Sequence, residues 1–310
     1  MSKIIRQRIQ ATLADDPPRS KSLLVTVFGD SITPHGGAVM LKGLVKLLAP
    51  FAVNDRLVRT SVHRLQVDGW LVSRRQGRLS AYSLTSDGLR RFMNAYKRVY
   101  APPEKFWDEN WTLVYFPASA SGRTERTERH NLCRDLEWEG FGTVAPGMFV
   151  HPKANPAVLQ QIIGAARSKH SIFVLSARSL EQLSTQPVQK FVRLCWDLDS
   201  LAAGYISFLS RFEPIRNVAE DFDHVAPQEA FALRTLIVHY LRRVALHDPL
   251  LPSDLLPADW PGHRAYELCR DLYKRSYRKA EAFLHESLDT PDNRLPDEAS
   301  YFHERFGGLD

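Results

Sequence analysis

Asn54-Asp55-Arg56-Leu57-Val58-Arg59-Thr60-Ser61-Val62-His63-Arg64-Leu65-Gln66-Val67-Asp68-Gly69, followed by Trp70-Leu71-Val72-Ser73-Arg74-Arg75-Gln76-Gly77-Arg78-Leu79, is the stretch on which the fold turns. Val58, Val62 and Leu65 recur at i, i+4 and i+7, the spacing of one helix face. Asn54 can cap the start by accepting a hydrogen bond from a free backbone amide, and Asp68-Gly69 marks the end. Leu71–Gln76 and Leu79–Leu84 then read as two short strands joined by a tight turn at Gly77. With the apolar stripe inward, the helix turns Arg56, Arg59, Thr60, His63 and Arg64 outward. The hairpin adds Arg74, Arg75 and Arg78.

Upstream, Leu23, Leu24, Val27 and Phe28 predict a first helix stopped at Gly29-Asp30, with Ser31–Gly37 as loop. Leu41, Leu44, Val45 and Leu48 predict a second, ended by Pro50. Three helices and a hairpin inside about 65 residues describe a winged helix-turn-helix. Its third helix would lie in the major groove of DNA, where Arg can pair with a guanine edge and Thr can meet a base or phosphate. The basic hairpin would lie on neighbouring phosphates. A further helix follows Thr85-Ser86, with Leu89, Phe92, Met93, Tyr96 and Tyr100 on one face.

The charge distribution agrees. The net charge is +6, yet residues 1–100 hold 17 Lys and Arg against 6 Asp and Glu, and the remainder 24 against 29. A basic N-terminal third on an acidic body is the footprint of a part that meets a polyanion.

Beyond Pro102-Pro103 a strand at Trp111–Phe116 and a helix at about 124–139 come first. Short strands at Thr143–Ala145 and Met148–His151, a helix at about 156–168 and a strand at Ser171–Leu175 complete the order of a ferredoxin-like domain. After Leu180 the pattern is helical over Val192–Phe212, Gln228–His247 and His263–Leu288. The expected class is α+β, in four segments: an N-terminal polar arm (1–18), the winged helix-turn-helix (19–100), the ferredoxin-like domain (105–180) and a helical C-terminal domain (181–310).

The 310 residues suit two or three domains, and 44% hydrophobic with 25% charged residues excludes dominant disorder. No apolar run reaches the roughly 18 residues of a spanning helix. The first sixteen residues, with Lys3, Arg6, Arg8, Asp15 and Asp16, do not read as a secretory signal. Three scattered cysteines, Cys133, Cys195 and Cys269, form no disulfide framework, so a cytoplasmic protein is expected.

The motifs carry a family resemblance. Arg56-Leu57-Val58-Arg59-Thr60-Ser61-Val62-His63-Arg64-Leu65 with Asp68-Gly69-Trp70-Leu71 resembles the PaaX family, repressors of bacterial phenylacetate catabolism. So does Phe28-Gly29-Asp30-Ser31 with Gly36-Gly37. The match resumes at Asp248-Pro249-Leu250-Leu251-Pro252, Leu255-Leu256-Pro257-Ala258, Trp260 and Gly262-His263, and again at Tyr301-Phe302 and Arg305-Phe306-Gly307-Gly308-Leu309. Met40 departs from the family's Trp and His63 from its Phe. The resemblance implies a homodimer that binds double-stranded operator DNA and is released by an aryl-acyl-CoA effector such as phenylacetyl-CoA. It leaves the effector-binding residues unassigned.

Other constellations are weaker. His130 and Cys133 lie three apart with no second ligand pair, so no metal site is expected. His239 and His247 lie eight apart and read as an interior and a helix-end histidine. Tyr266, Tyr273 and Tyr277, with Arg242, Arg243, Arg270 and Arg275, could line an acyl-CoA pocket, but at helical spacing such aromatics are read as core. The alternative function is a nuclease-like enzyme built on the ferredoxin-like domain. Its first strand ends Tyr115-Phe116-Pro117-Ala118-Ser119 without the carboxylate that metal-dependent phosphoryl transfer needs. With no nucleotide-binding Gly loop and no nucleophile triad, neither catalysis nor a cofactor is expected.

Overall fold

A computed structural model describes residues 3–76, 79–117, 123–166, 171–216, 222–288, 290 and 296–309. In chain order the first elements are α1 (Lys3–Asp15), α2 (Ser20–Val27), β1 (Ala38–Met40), α3 (Leu41–Leu48), α4 (Asp55–Val67), β2 (Leu71–Gln76), β3 (Leu79–Leu84) and α5 (Ser86–Tyr100). There follow β4 (Asn110–Tyr115), α6 (Arg123–Trp138), β5 (Gly142–Ala145), β6 (Met148–His151), α7 (Pro156–Ala165) and β7 (Phe173–Arg178). The remainder is helical: α8 (Val188–Cys195), α9 (Leu198–Arg216), α10 (Pro227–Ala245), α11 (Pro261–Ser287) and α12 (Ser300–His303). The class is α+β, with two small sheets.

The chain forms two compact units that cut across the four segments expected from sequence. One gathers Met1–Pro102, Tyr205–Leu246 and His263–Asp310; the other gathers Pro103–Gly204 and His247–Gly262.

In the first unit, β1, β3 and β2 form an antiparallel sheet in that order, with α3 and α4 packed against it and α2 packed on α4. Leu23, Leu24, Val27, Leu44, Leu48, Val58, Val62 and Leu65 are buried in its core. The residues read as a polar arm are helical instead: α1 buries Ile5 and Ile9 and packs on α10. An apolar pair at i, i+4 among polar residues was the available signal. The stop expected at Gly29-Asp30 is also corrected. The chain runs on through one wide π turn, Phe28–Ile32, and a short 3-10 turn, Thr33–His35. The π turn carries Asp30 inward, while a Cβ on Gly29 would lie 2.3 Å from the Phe92 ring.

Asp30 is 1% exposed and collects partners from across the unit. Tyr100 and Tyr273 donate their hydroxyls to Oδ1 at 2.7 and 3.0 Å. Arg305 donates to the Asp30 carbonyl and to Oδ1 at 3.0 and 3.1 Å. Its guanidinium centre lies 4.5 Å from the Tyr100 ring centroid and 4.6 Å from that of Phe302. Arg234 lies 3.2 Å from Asp30 Oδ2 through Nε, donates to Ser31 at 2.9 Å and bonds Glu281 through Nη1. Burial favours losing the Arg234 proton, but Glu281 and Asp30 outweigh it and raise the pKa. The Phe28–Ser31 and Tyr301–Leu309 motifs thus meet at a buried ion pair.

In the second unit the strands are antiparallel in the order β5-β6-β4-β7. Val114, Phe116, Leu132, Leu136, Phe149 and Leu159 form a core between this sheet and α6 and α7. The last strand lies a little downstream of the expected Ser171–Leu175, in register with β4 from Asn110↔Arg178 to Tyr115↔Phe173. The single helix expected over Val192–Phe212 is two. Trp196 takes extended backbone and donates its indole N–H to Gly140 O at 3.0 Å, and Asp197 accepts the Ser200 N–H at 3.1 Å to start α9.

Removing one member of a buried, hydrogen-bonded charge pair costs about 3–5 kcal/mol. Arg305→Met should therefore lower the urea midpoint of unfolding by the equivalent of about 3–5 kcal/mol, and Asp30→Asn/Arg305→Met less than the two single losses summed. A midpoint unchanged in Arg305→Met would remove the pair from the stabilising set.

Candidate nucleic-acid interface

The N-terminus of α4 forms as the sequence requires. Asn54 is extended, and its Oδ1 accepts the Leu57 N–H at 2.9 Å. At the other end Gly69 takes φ +71°, a conformation disfavoured for residues with a Cβ. The amides of Gly69 and Trp70 then return to the carbonyls of Gln66 and Leu65 at 3.0 and 2.8 Å. The inward side is held by Val58, Val62 and Leu65, and by Ser61, whose hydroxyl lies 2.8 Å from that of Ser20 on α2.

The opposite side of α4 is open. Arg56, Arg59, Thr60, His63 and Arg64 are all exposed, so the structure brings the five helix residues together on one surface. Two have local partners. Arg59 donates through Nε and Nη2 to both Asp55 oxygens, at 2.9 and 3.2 Å. Thr60 donates to the Arg56 carbonyl at 2.9 Å, which leaves its oxygen lone pairs outward. A hydroxyl so placed accepts from an adenine or cytosine amino group more readily than it donates to a phosphate.

Leu57 stands exposed beside these polar groups, at 43%. It lies outside the inward stripe of Val58, Val62 and Leu65, so helical periodicity does not single it out. An apolar side chain on such a face suits a thymine methyl.

The hairpin separates its two described arginines. Arg74 pairs with Ala81 and Arg75 with Ser80, and successive side chains on a strand point to opposite faces. Ser73 shares the face of Arg75 and accepts a hydrogen bond from Gln66 Nε2 of α4 at 3.1 Å. Arg75 therefore lies on the face that adjoins α4, and Arg74 on the other. Gly77 and Arg78 lie outside the described residues.

The remaining candidates resolve mostly as structure. Tyr266, Tyr273 and Tyr277 are buried in the core, as their spacing suggested. Arg242 is committed to Ser22, Arg243 to Asp16, and Arg275 to Asp271 and the Arg216 carbonyl; Arg270 is exposed. His239 is an interior histidine against Thr26 at 3.0 Å. Burial and the charges of Arg242 and Arg243 lower its pKa to about 3. His247 is exposed just past α10. His130 is exposed and Cys133 half-buried. Among the described residues a three-ligand group forms elsewhere, from His35, Glu281 and Glu298.

Comparison with known proteins agrees with this order of parts. Residues 19–88 match the PaaX-like protein family, 104–189 the PaaX protein central Cas2-like domain, and 196–286 the PaaX-like protein C-terminal domain. The chain is 34% identical over 302 residues to the transcriptional repressor PaaX of Escherichia coli strain K12, covering 97% of this chain and 94% of that protein. The chain belongs to the PaaX family. Its fold is also similar to that of the uncharacterized protein Rv0674 from Mycobacterium tuberculosis. That similarity has a TM-score of 0.53 at 19% identity and covers 85% of this chain and 98% of that one. No helix among the described residues is long and apolar enough to cross a membrane.

The two faces of the hairpin separate the arginines experimentally. Each phosphate that a substitution leaves without its cation should flatten the dependence of log affinity on log salt by about 0.9. In duplex-binding titrations across a salt series, Arg75→Ala of this PaaX-family chain should flatten the slope by about that amount and Arg74→Ala by less. Equal slopes for wild type and Arg75→Ala would take this face of the hairpin off the phosphates.

Proposed function

We propose that the chain is a DNA-binding transcriptional repressor. In this reading Ser20–Leu84 acts as a winged helix-turn-helix, with α4 as the reading helix and the hairpin as the wing. The observation that carries it is the exposed row of Arg56, Arg59, Thr60, His63 and Arg64 above buried Val58, Val62 and Leu65. Arginine pairs bidentately with guanine, and the surrounding cations lower the cost of approaching the backbone. The repressor of the same family, alike over nearly the whole chain, supports the assignment.

The partners follow from that reading. Double-stranded operator DNA is the ligand of α4, and a homodimer would present two reading helices to two half-sites. A DNA ligand also implies a cytoplasmic protein. The four-stranded unit is read as a ferredoxin-like scaffold and the chain as a non-enzyme. The effector is read as an aryl-acyl-CoA, phenylacetyl-CoA first among them, on the strength of the family resemblance. The phosphates of a CoA thioester give basic side chains something to grip that a free aromatic acid lacks. Release requires tighter binding to the state that cannot hold DNA, and a swing from 1:99 to 99:1 takes about 5.5 kcal/mol of preference.

Two experiments test this. Genomic fragments selected by the purified chain should bind far more tightly than random duplex. Arg59→Ala should weaken the selected fragment by about 1–3 kcal/mol while leaving random duplex nearly unchanged. Equal weakening on both would make Arg59 a phosphate contact, and no selectivity in the wild type would refute the repressor reading. Against a preformed complex, phenylacetyl-CoA should release the DNA and free phenylacetate should not. Release by the free acid at lower concentration would reject the thioester.

A further inference from the structure

We propose that His35, Glu281 and Glu298 form a site for one divalent transition-metal ion of the zinc type. One ligand atom from each of the three lies within 4.8 Å of the others. His35 and Glu281 are buried and Glu298 is partly so. Three segments remote in sequence converge here: the 3-10 turn after α2, the long helix α11 and the tail leading into α12.

The histidine is set up as a ligand. Its Nδ1 lies 3.1 Å from the Pro296 carbonyl oxygen, which can only accept, so Nδ1 carries the proton and donates. A ring held in this way presents Nε2 to the opposite side, and metal-binding histidines are oriented by such a bond to a carbonyl. Nε2 points at Glu281 Oε2, 2.7 Å away. A proton on Nε2 can bridge the two atoms as a hydrogen bond, and a cation held beside both can take its place.

The carboxylate is held as firmly. Arg234 bonds Oε1 of Glu281 and leaves Oε2 for the site. The backbone around the third ligand is also fixed. Ala299 N–H donates to Pro34 O at 2.9 Å, and Gly36, at φ +80°, lets the chain press on Pro296, where a Cβ would come within 2.9 Å of the proline ring. Asp30 and Glu281 face two guanidinium groups, Arg234 and Arg305. Glu298 is a third carboxylate, without an ion pair to Lys or Arg among the described residues. His285, one turn after Glu281, places its ring 6.0 Å from that of His35 and borders the site.

One imidazole and two carboxylates suit a borderline ion such as Zn²⁺ or Co²⁺ better than Mg²⁺ or Ca²⁺, which favour all-oxygen sets. Three protein ligands leave a position for water. The bound ion would staple the turn beneath the reading head to α11 and to the tail.

The test uses the full chain, stripped with a chelator and dialysed. Zn²⁺ should bind with one equivalent in calorimetry and raise the melting temperature. Co²⁺ should give visible ligand-field bands without the strong thiolate charge-transfer absorption that a cysteine ligand adds. Glu298→Gln, at a partly exposed tail position, should keep the circular dichroism and metal-free melting temperature of the wild type. It should also weaken Zn²⁺ about tenfold or more. His35→Gln should abolish the effect; if that variant does not fold, Glu298→Gln alone decides. A wild-type chain whose melting temperature ignores Zn²⁺, a Glu298→Gln variant that binds Zn²⁺ as tightly as wild type, or a thiolate signature with Co²⁺ would each overturn the assignment.

Discussion

A carboxylate buried to 1% exposure, Asp30, sets the terms for the first unit. An unpaired charge in such a place is too costly to keep, so Asp30 must be met by cations and hydroxyls. Those groups come from α5, α10, α11 and the chain's last residues: Tyr100, Arg234, Tyr273 and Arg305. The first hundred residues and the C-terminal helices therefore fold as one unit. A buried charge cluster adds little net stability over an apolar one, but it strongly penalises arrangements that separate its members. Its main effect is to select one geometry for the end of α2.

That geometry reaches the candidate interface through short links. The helix α2 leads into the π turn that carries Asp30, and α2 also packs on α4, where Ser20 meets Ser61. From α4, Gln66 reaches Ser73 and sets the hairpin face. The outward residues of α4 and β2 thus stand on a platform whose underside is tied to the C-terminal helices. A ligand or ion favouring one arrangement of those helices would have a physical route to the reading head, through packed elements with defined contacts.

The helix-forming and hairpin-forming signals of this region were legible because they are local. The cap at Asn54, the stripe Val58-Val62-Leu65 and the end at Gly69 depend on neighbours a few residues away, and the folded chain follows them. The alternation of strands and helices along the second unit was legible for the same reason. The rest was not. Asp30 read as a helix stop because Tyr100, Arg234, Tyr273 and Arg305, which draw it inward, lie 70 to 275 residues away in sequence. The break at Trp196 needed the Gly140 carbonyl, supplied by another element. At the interface, charge and periodicity located the face. They did not reveal that Asp55 holds Arg59, that Arg74 and Arg75 part company, or that Leu57 joins the exposed row.

Hydrogen exchange of the full chain, free and bound to a selected operator fragment, is the sharpest test that α4 and the hairpin meet DNA, because it maps contact without changing a residue. Protection gained on DNA binding should be concentrated in Asp55–Val67 and Leu71–Gln76, with the strands Asn110–Tyr115 and Phe173–Arg178 unchanged. Protection concentrated in those strands of the second unit, with Asp55–Val67 exchanging as in the free chain, would contradict it.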